Sequence, residues 1–97
     1  MEIIKWIEDW FASHCDGDWE HSYGIKIKTI DNPGWHIEID LEDTPLENLS
    51  IDYSLTEFSE TDWYGYSVKD GKFKASGDIT KLSYLLEIFR NMVMFQS

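Results

Sequence analysis

The chain has 97 residues, 42% of them hydrophobic, with five each of Trp, Tyr and Phe. That is enough aromatic bulk for one small cored domain and too much for a disordered chain. Nineteen Asp and Glu against eight Lys and Arg leave a formal charge of −11, which argues against nucleic acid and anionic membrane, both bound through Lys and Arg, and favours a basic protein partner or simply good solubility.

The opening "MEIIKWIEDWF" has acids among its apolar residues rather than the basic-then-apolar pattern of a signal peptide. No apolar run approaches the ~20 residues of a membrane span. One cysteine forms no internal disulfide. The expectation is a cytoplasmic protein.

In chain order, Ile3, Ile4, Trp6, Ile7, Trp10 and Phe11 recur at spacings of three and four, which predicts an amphipathic helix over 2–14 that ends at the Asp16–Gly17 loop. From Tyr23 the period changes to two. Ile25 and Ile27 alternate with Lys26 and Lys28; after "DNPG", Trp35, Ile37, Ile39 and Leu41 alternate with His36, Glu38 and Asp40. Pro33–Gly34 suits a turn in which Gly takes the positive φ. Setting Ile27 opposite Ile37 and Ile25 opposite Ile39 keeps the isoleucines on one face and places Lys26 against Glu38 on the other.

A third strand is expected over Ile51, Tyr53 and Leu55. "YGYSVKDGKFKAS" predicts a hairpin closed by Asp70–Gly71, pairing Val68 with Phe73 and Tyr66 with Ala75. Tyr64 continues that side, and Trp63, Gly65, Ser67 and Lys74 fall on the other. Asp78 offers an N-cap to a second helical stripe of Ile79, Leu82, Leu85, Leu86, Phe89, Met92 and Val93.

The expected class is α+β: a single domain over 1–97, with a mostly antiparallel five-stranded sheet and an N-terminal and a C-terminal helix packed on one face. The other face, carrying Glu38, Asp40, Asp52 and Trp63, is left to solvent and to a partner. Hairpin parity turns Trp63 outward, where an aromatic beside carboxylates suits a binding hot spot or a ring covered by a loop.

The segment "CDGDWEH", Cys15 to His21, fits three readings: a thiol site, a metal site, or a junction between helix and sheet. Cys15 follows a helix C-terminus and is flanked by Asp16 and Asp18, which raises a thiol pKa, whereas a nucleophilic thiolate wants a helix N-terminus or cations. His14 and His21 are the available bases. Asp16, Asp18, Glu20 and His21 fall short of a calcium loop, because the twelfth position from Asp16 is Ile27 rather than Glu, and of a zinc site for want of His and Cys. In the junction reading, Asp16 and Asp18 bind loop amides and Trp19 plugs the gap between helix and sheet. Phosphate-loop, dinucleotide, nucleophile-elbow and HExxH motifs are missing. No catalytic residue, cofactor or metal is expected.

The run "CDGDWEHSYGIKI", followed by "T-I-DNPGW" and "I-D-L", resembles the bacterial immunity protein 53 family, small proteins encoded beside polymorphic toxins. The likeness is dense from Trp10 to Leu41 and continues at Thr44, Leu46, Trp63, Phe73, Gly77 and "LLEIF". The resemblance implies an α+β immunity protein that acts by binding and neutralising a cognate toxin. The expected mechanism is occlusion of the toxin's active site, with acidic residues speeding encounter, and the acidity makes a nuclease one possible toxin class. The residues expected to bind the partner are Glu38, Asp40, Asp52 and Trp63, with Asp16, Asp18 and Glu20 at the rim. The alternatives are a small thiol enzyme of the rhodanese type using Cys15, and a generic acidic interaction module.

Overall fold

The computed structural model describes residues 2–96. Helix α1 (Glu2–His14) and the short α2 (Trp19–Ser22) precede strands β1 (Ile25–Ile30), β2 (Gly34–Asp40), β3 (Ile51–Ser59), β4 (Asp62–Lys69) and β5 (Lys72–Gly77), and helix α3 (Leu82–Gln96) ends the fold. The strands form one antiparallel sheet in the order β1-β2-β5-β4-β3. The chain leaves β2 for the far edge, and the β4–β5 hairpin returns to fill the place beside β2.

The expected registers are observed. Ile25 faces Ile39, Lys26 faces Glu38 and Ile27 faces Ile37, and Val68 faces Phe73 while Tyr66 faces Ala75. Asp70 and Gly71 both have positive φ, 54° and 75°, the backbone a two-residue hairpin turn needs to match strand twist.

Both long helices cover one face. Ile3, Ile7 and Trp10 from α1 and Leu85, Leu86, Phe89 and Met92 from α3 share one core with Ile37, Ile39, Leu41, Val68, Phe73 and Ala75. Phe89 is its centre: its ring stands edge-on to Trp10 at 4.9 Å and lies 5.2 Å from Phe73. Ile27 departs from the pattern. It lies on the edge strand, in a shallow cleft beside Ile7 and Phe11 of α1, and stays 44% exposed.

Three local expectations are corrected. Gly34 does not take the positive φ of a turn; residues 31–33 make the turn and Gly34 opens β2, where a Cβ would collide with the Gly77 carbonyl. Asp78 is not the N-cap of α3, which begins at Leu82, and Ile79 is exposed outside the helix. The Asp78 carboxylate instead accepts the Trp63 amide (2.9 Å), the Thr80 amide (2.8 Å) and the Lys81 ammonium (2.8 Å). Strand β3 does not alternate regularly: a bulge between Ile51 and Ser54 inserts one extra residue.

Two stability predictions follow from this packing. Trp10→Ala should cost about 3–5 kcal/mol, measured by chemical denaturation; an unchanged midpoint would mean that α1 does not dock through Trp10. Burial pushes the Asp78 carboxyl up, but the hydrogen bonds from Lys81, Thr80 and the Trp63 amide outweigh it and hold the group well below its ordinary 3.8. A carboxyl depressed in the folded state stabilises fully above its unfolded pKa, and that share is lost as pH falls through the folded value. Asp78→Asn should therefore be less stable than wild type at pH 7 and lose less stability between pH 5 and the acid limit. Parallel pH–stability curves would refute the assignment.

Candidate functional site

The Cys15–His21 segment is a closed turn. Asp16 accepts the amides of Asp18 and Trp19, both at 3.0 Å, while Glu20 reaches back to the amides of Asp16 (3.0 Å) and Gly17 (3.0 and 3.2 Å). This reciprocal pattern works like a capping box for the single turn of α2. Gly17 has φ of 98°, where a side chain would be strained. Asp16 binds loop amides as expected; Asp18 does not, and Glu20 takes that part.

Trp19 does plug the gap. It is 5% exposed, packs edge-on to Trp10 and Phe11 at 6.1 and 6.0 Å, and donates its indole N–H to the Glu42 carbonyl at 2.7 Å. That bond ties α2 to the loop after β2. In the same loop Thr44 and Leu46 turn inward, Thr44 Oγ1 donating to the Leu41 carbonyl at 2.7 Å.

The thiol is poorly placed for nucleophilic work. Cys15 Sγ donates to the Phe11 carbonyl at 3.3 Å. Partial desolvation pushes its pKa up, and Glu20 and Asp16 push it further, opposite to what a reactive thiolate needs. His14 packs against Trp10 and Trp19, at 4.5 and 5.6 Å, with its pKa lowered by burial, and neither His14 nor His21 hydrogen-bonds Cys15. Among the described residues no group of three or more His, Cys, Asp or Glu could hold a metal.

The uncovered sheet face is where the remaining candidates gather, and it divides by chemistry. On its β1–β2–β5 side, register turns Lys26, Lys28, Lys72 and Lys74 outward, and Lys69 of β4 stands opposite Lys72. Five of the chain's eight basic residues thus lie on a face that an acidic chain was expected to leave acidic. Glu38 and Asp40 sit among them with partners. The Glu38 carboxylate lies 3.1 Å from His36 Nε2 and is held below the usual carboxylate range, by that bond against some desolvation, with Lys74 and Lys26 adding to it. Asp40 pairs with Lys72 and accepts the Gly24 amide at 3.0 Å, which fastens the start of β1.

On the β3–β4 side the face is apolar and acidic. The bulge sets Asp52 and Tyr53 together opposite Ser67, and Leu55 then pairs with Gly65 and Glu57 with Trp63. Tyr53 lies over Gly65, where a Cβ would stand 2.6 Å from its hydroxyl. Tyr53, Leu55, Glu57 and Trp63 form one wall of a groove of about 850 Å³, closed by Pro33 from the β1–β2 turn, Glu60 from the β3–β4 turn, and Ile79. Tyr53, Leu55 and Ile79 are 62%, 51% and 63% exposed. Among the described residues Glu57 and Glu60 have neither an ion pair nor a side-chain hydrogen bond.

Of the residues nominated from sequence, the structure brings Trp63 into this groove and places Glu38, Asp40 and Asp52 elsewhere on the same face. Asp16, Asp18 and Glu20 lie beyond the other end of the sheet. Their turn is tied to Glu42, whereas Trp63 lies level with Gly34 by way of Gly77 and Trp35, and β2 puts about 20 Å between those ends. Tyr53, Leu55, Glu57 and Glu60 were missed. The one hint in the sequence is that the alternation Ile51, Tyr53, Leu55 breaks at Glu57–Phe58.

No curated protein and no solved structure matches the chain. The family model described as immunity protein 53 matches residues 4–94, so it takes in most of both long helices, all five strands and the groove. By that match the chain belongs to the immunity protein 53 family.

Proposed function

We propose that this immunity protein neutralises a basic bacterial toxin by covering the toxin's active site, and that the toxin is a nuclease. The observation that carries this reading is the charge, −11 over 97 residues. With Lys26, Lys28, Lys69, Lys72 and Lys74 gathered on one side of one face, the carboxylates elsewhere are largely unopposed. Such a field raises the encounter rate with a cationic partner. A nuclease active site, built to attract phosphates, is the kind of surface it complements. The chain contributes binding rather than chemistry: the raised thiol of Cys15 supports a structural role for that residue.

Binding kinetics with the toxin encoded beside this chain test the reading. Association should slow markedly as salt is raised, because exposed charges are screened beyond ~8 Å at physiological ionic strength. Dissociation should change far less. Cys15→Ser should protect cells within a few-fold of wild type, and sulfurtransferase activity should stay at background. Failure of a folded Cys15→Ser protein to protect would return the thiol to consideration, and salt-independent association would remove the steering argument.

A further inference from the structure

We infer that the groove between β3–β4, the β1–β2 turn and Ile79 receives an arginine-bearing segment of the toxin, stacked on Trp63 and paired with Glu57 and Glu60. This rests on the toxin-binding reading above and adds where the contact is made and with what chemistry.

Three observations point to that occupant. The first is apolar surface without cover: Leu55, Tyr53 and Ile79 are each more than half exposed in one concavity, on a small protein whose sheet face is otherwise polar. Apolar side chains gathered in a concavity with a few polar groups are the usual lining of a binding site.

The second is charge. The carboxylates that line the groove are Glu57, Glu60 and Asp78, and no Lys or Arg lines it. Asp78 is already satisfied by Lys81, Thr80 and the Trp63 amide, so Glu57 and Glu60 are left unneutralised. Asp62, beside Trp63, is paired with Lys81 at 2.7 Å, so that lysine is shared between Asp62 and Asp78 and pairs with neither Glu57 nor Glu60.

The third is geometry. Glu57 and Trp63 are direct cross-strand partners, which sets their Cβ atoms roughly 5 Å apart. A guanidinium lying on the Trp63 ring is therefore within reach of the Glu57 carboxylate, combining cation–π contact with a charge-assisted hydrogen bond. Arginine suits this better than lysine, because its planar fork can stack and pair at once. The same charges disfavour a second copy of this chain in the groove, since Glu57 and Glu60 would meet other carboxylates. The lysines across the face repel a basic segment that strays toward β5.

The test uses the full chain and a catalytically inactivated form of the adjacent toxin. Trp63→Ala should weaken binding at least ~30-fold, as expected of a hot spot, mainly through faster dissociation. The double variant Glu57→Gln with Glu60→Gln should weaken it at least ~10-fold, whereas Lys26→Gln with Lys28→Gln should stay within about three-fold. Replacing arginines of the toxin one at a time should reveal one whose loss adds nothing to the loss in Glu57→Gln/Glu60→Gln, the signature of coupled partners. Thermal melts confirm that each variant is folded; should Trp63→Ala fail that check, Leu55→Asp replaces it and should weaken binding as much. If wild type binds but the groove variants bind equally well, the groove proposal fails and the function stands. Greater loss in the lysine variants has the same meaning, as does a dimer of this chain dispersed by the groove variants. If wild type does not bind at all, both fail.

Discussion

Everything in this fold hangs on the edge-to-face contact between Trp10 of α1 and Phe89 of α3, with Phe73 of the sheet beneath it. The contact fixes two helices on one face of a five-stranded sheet. Among the described residues no helix is left to cover the other face. That face must be stable in water by its own chemistry. Across β1, β2 and β5 it is, through cross-strand pairs of opposite charge: Glu38 stands between Lys26 and Lys74, and Asp40 faces Lys72. Such pairs add modest stability and keep the surface wet.

Strand β3 breaks that arrangement, and the break is local. One extra residue between Ile51 and Ser54 reverses the parity of the strand as far as Glu57, where a second register shift follows. Ser54 and Thr56 turn toward the helices, opposite Tyr66 and Tyr64, and Leu55 turns outward opposite Gly65. Bulges that re-aim side chains in this way are frequent beside functional sites. The neighbouring Trp63 is held at the backbone from both directions: its amide donates to Asp78, and its carbonyl accepts the Asp78 amide at 3.2 Å. Under the proposed docking, a backbone fixed in this way before the partner arrives would lose little freedom on binding, which is where affinity is otherwise spent.

What the sequence disclosed and what it withheld divide along the same line. Helix α1, the β1–β2 register and the β4–β5 hairpin were legible because each is specified by residues close in sequence: a 3.6-residue stripe, an alternation, a turn. Trp63 was legible for the same reason, by counting two residues at a time from the Asp70–Gly71 turn. The start of α3 was misread because Asp78 looks like a cap, but its carboxylate is drawn to the Trp63 amide, a partner that no local window contains, as well as to Lys81. The part played by Glu57 was hidden by the bulge, which strict alternation cannot anticipate. The family motif was legible as a junction, since Asp16, Gly17, Trp19 and Glu20 fit a tight turn under an aromatic plug. Its assignment to Asp18 failed, because Asp16 and Glu20 already satisfy the amides in reach.

The division of the open face also constrains how a partner can sit. The whole molecule is strongly acidic, so at long range it draws any cationic surface without much regard to orientation. At contact the pattern is different. A uniformly basic patch laid across the open face would meet Glu57 and Glu60 at one side and Lys26, Lys28 and Lys74 at the other, so part of its charge would be repelled. Only a surface whose basic segment is narrow enough to lie along β3–β4, with neutral or acidic residues beside it, gains over the full width. Long-range attraction and short-range fit are thus set by different residues. On the proposed reading, discrimination among basic proteins would follow from the lysines, through repulsion, as much as from the groove, through attraction.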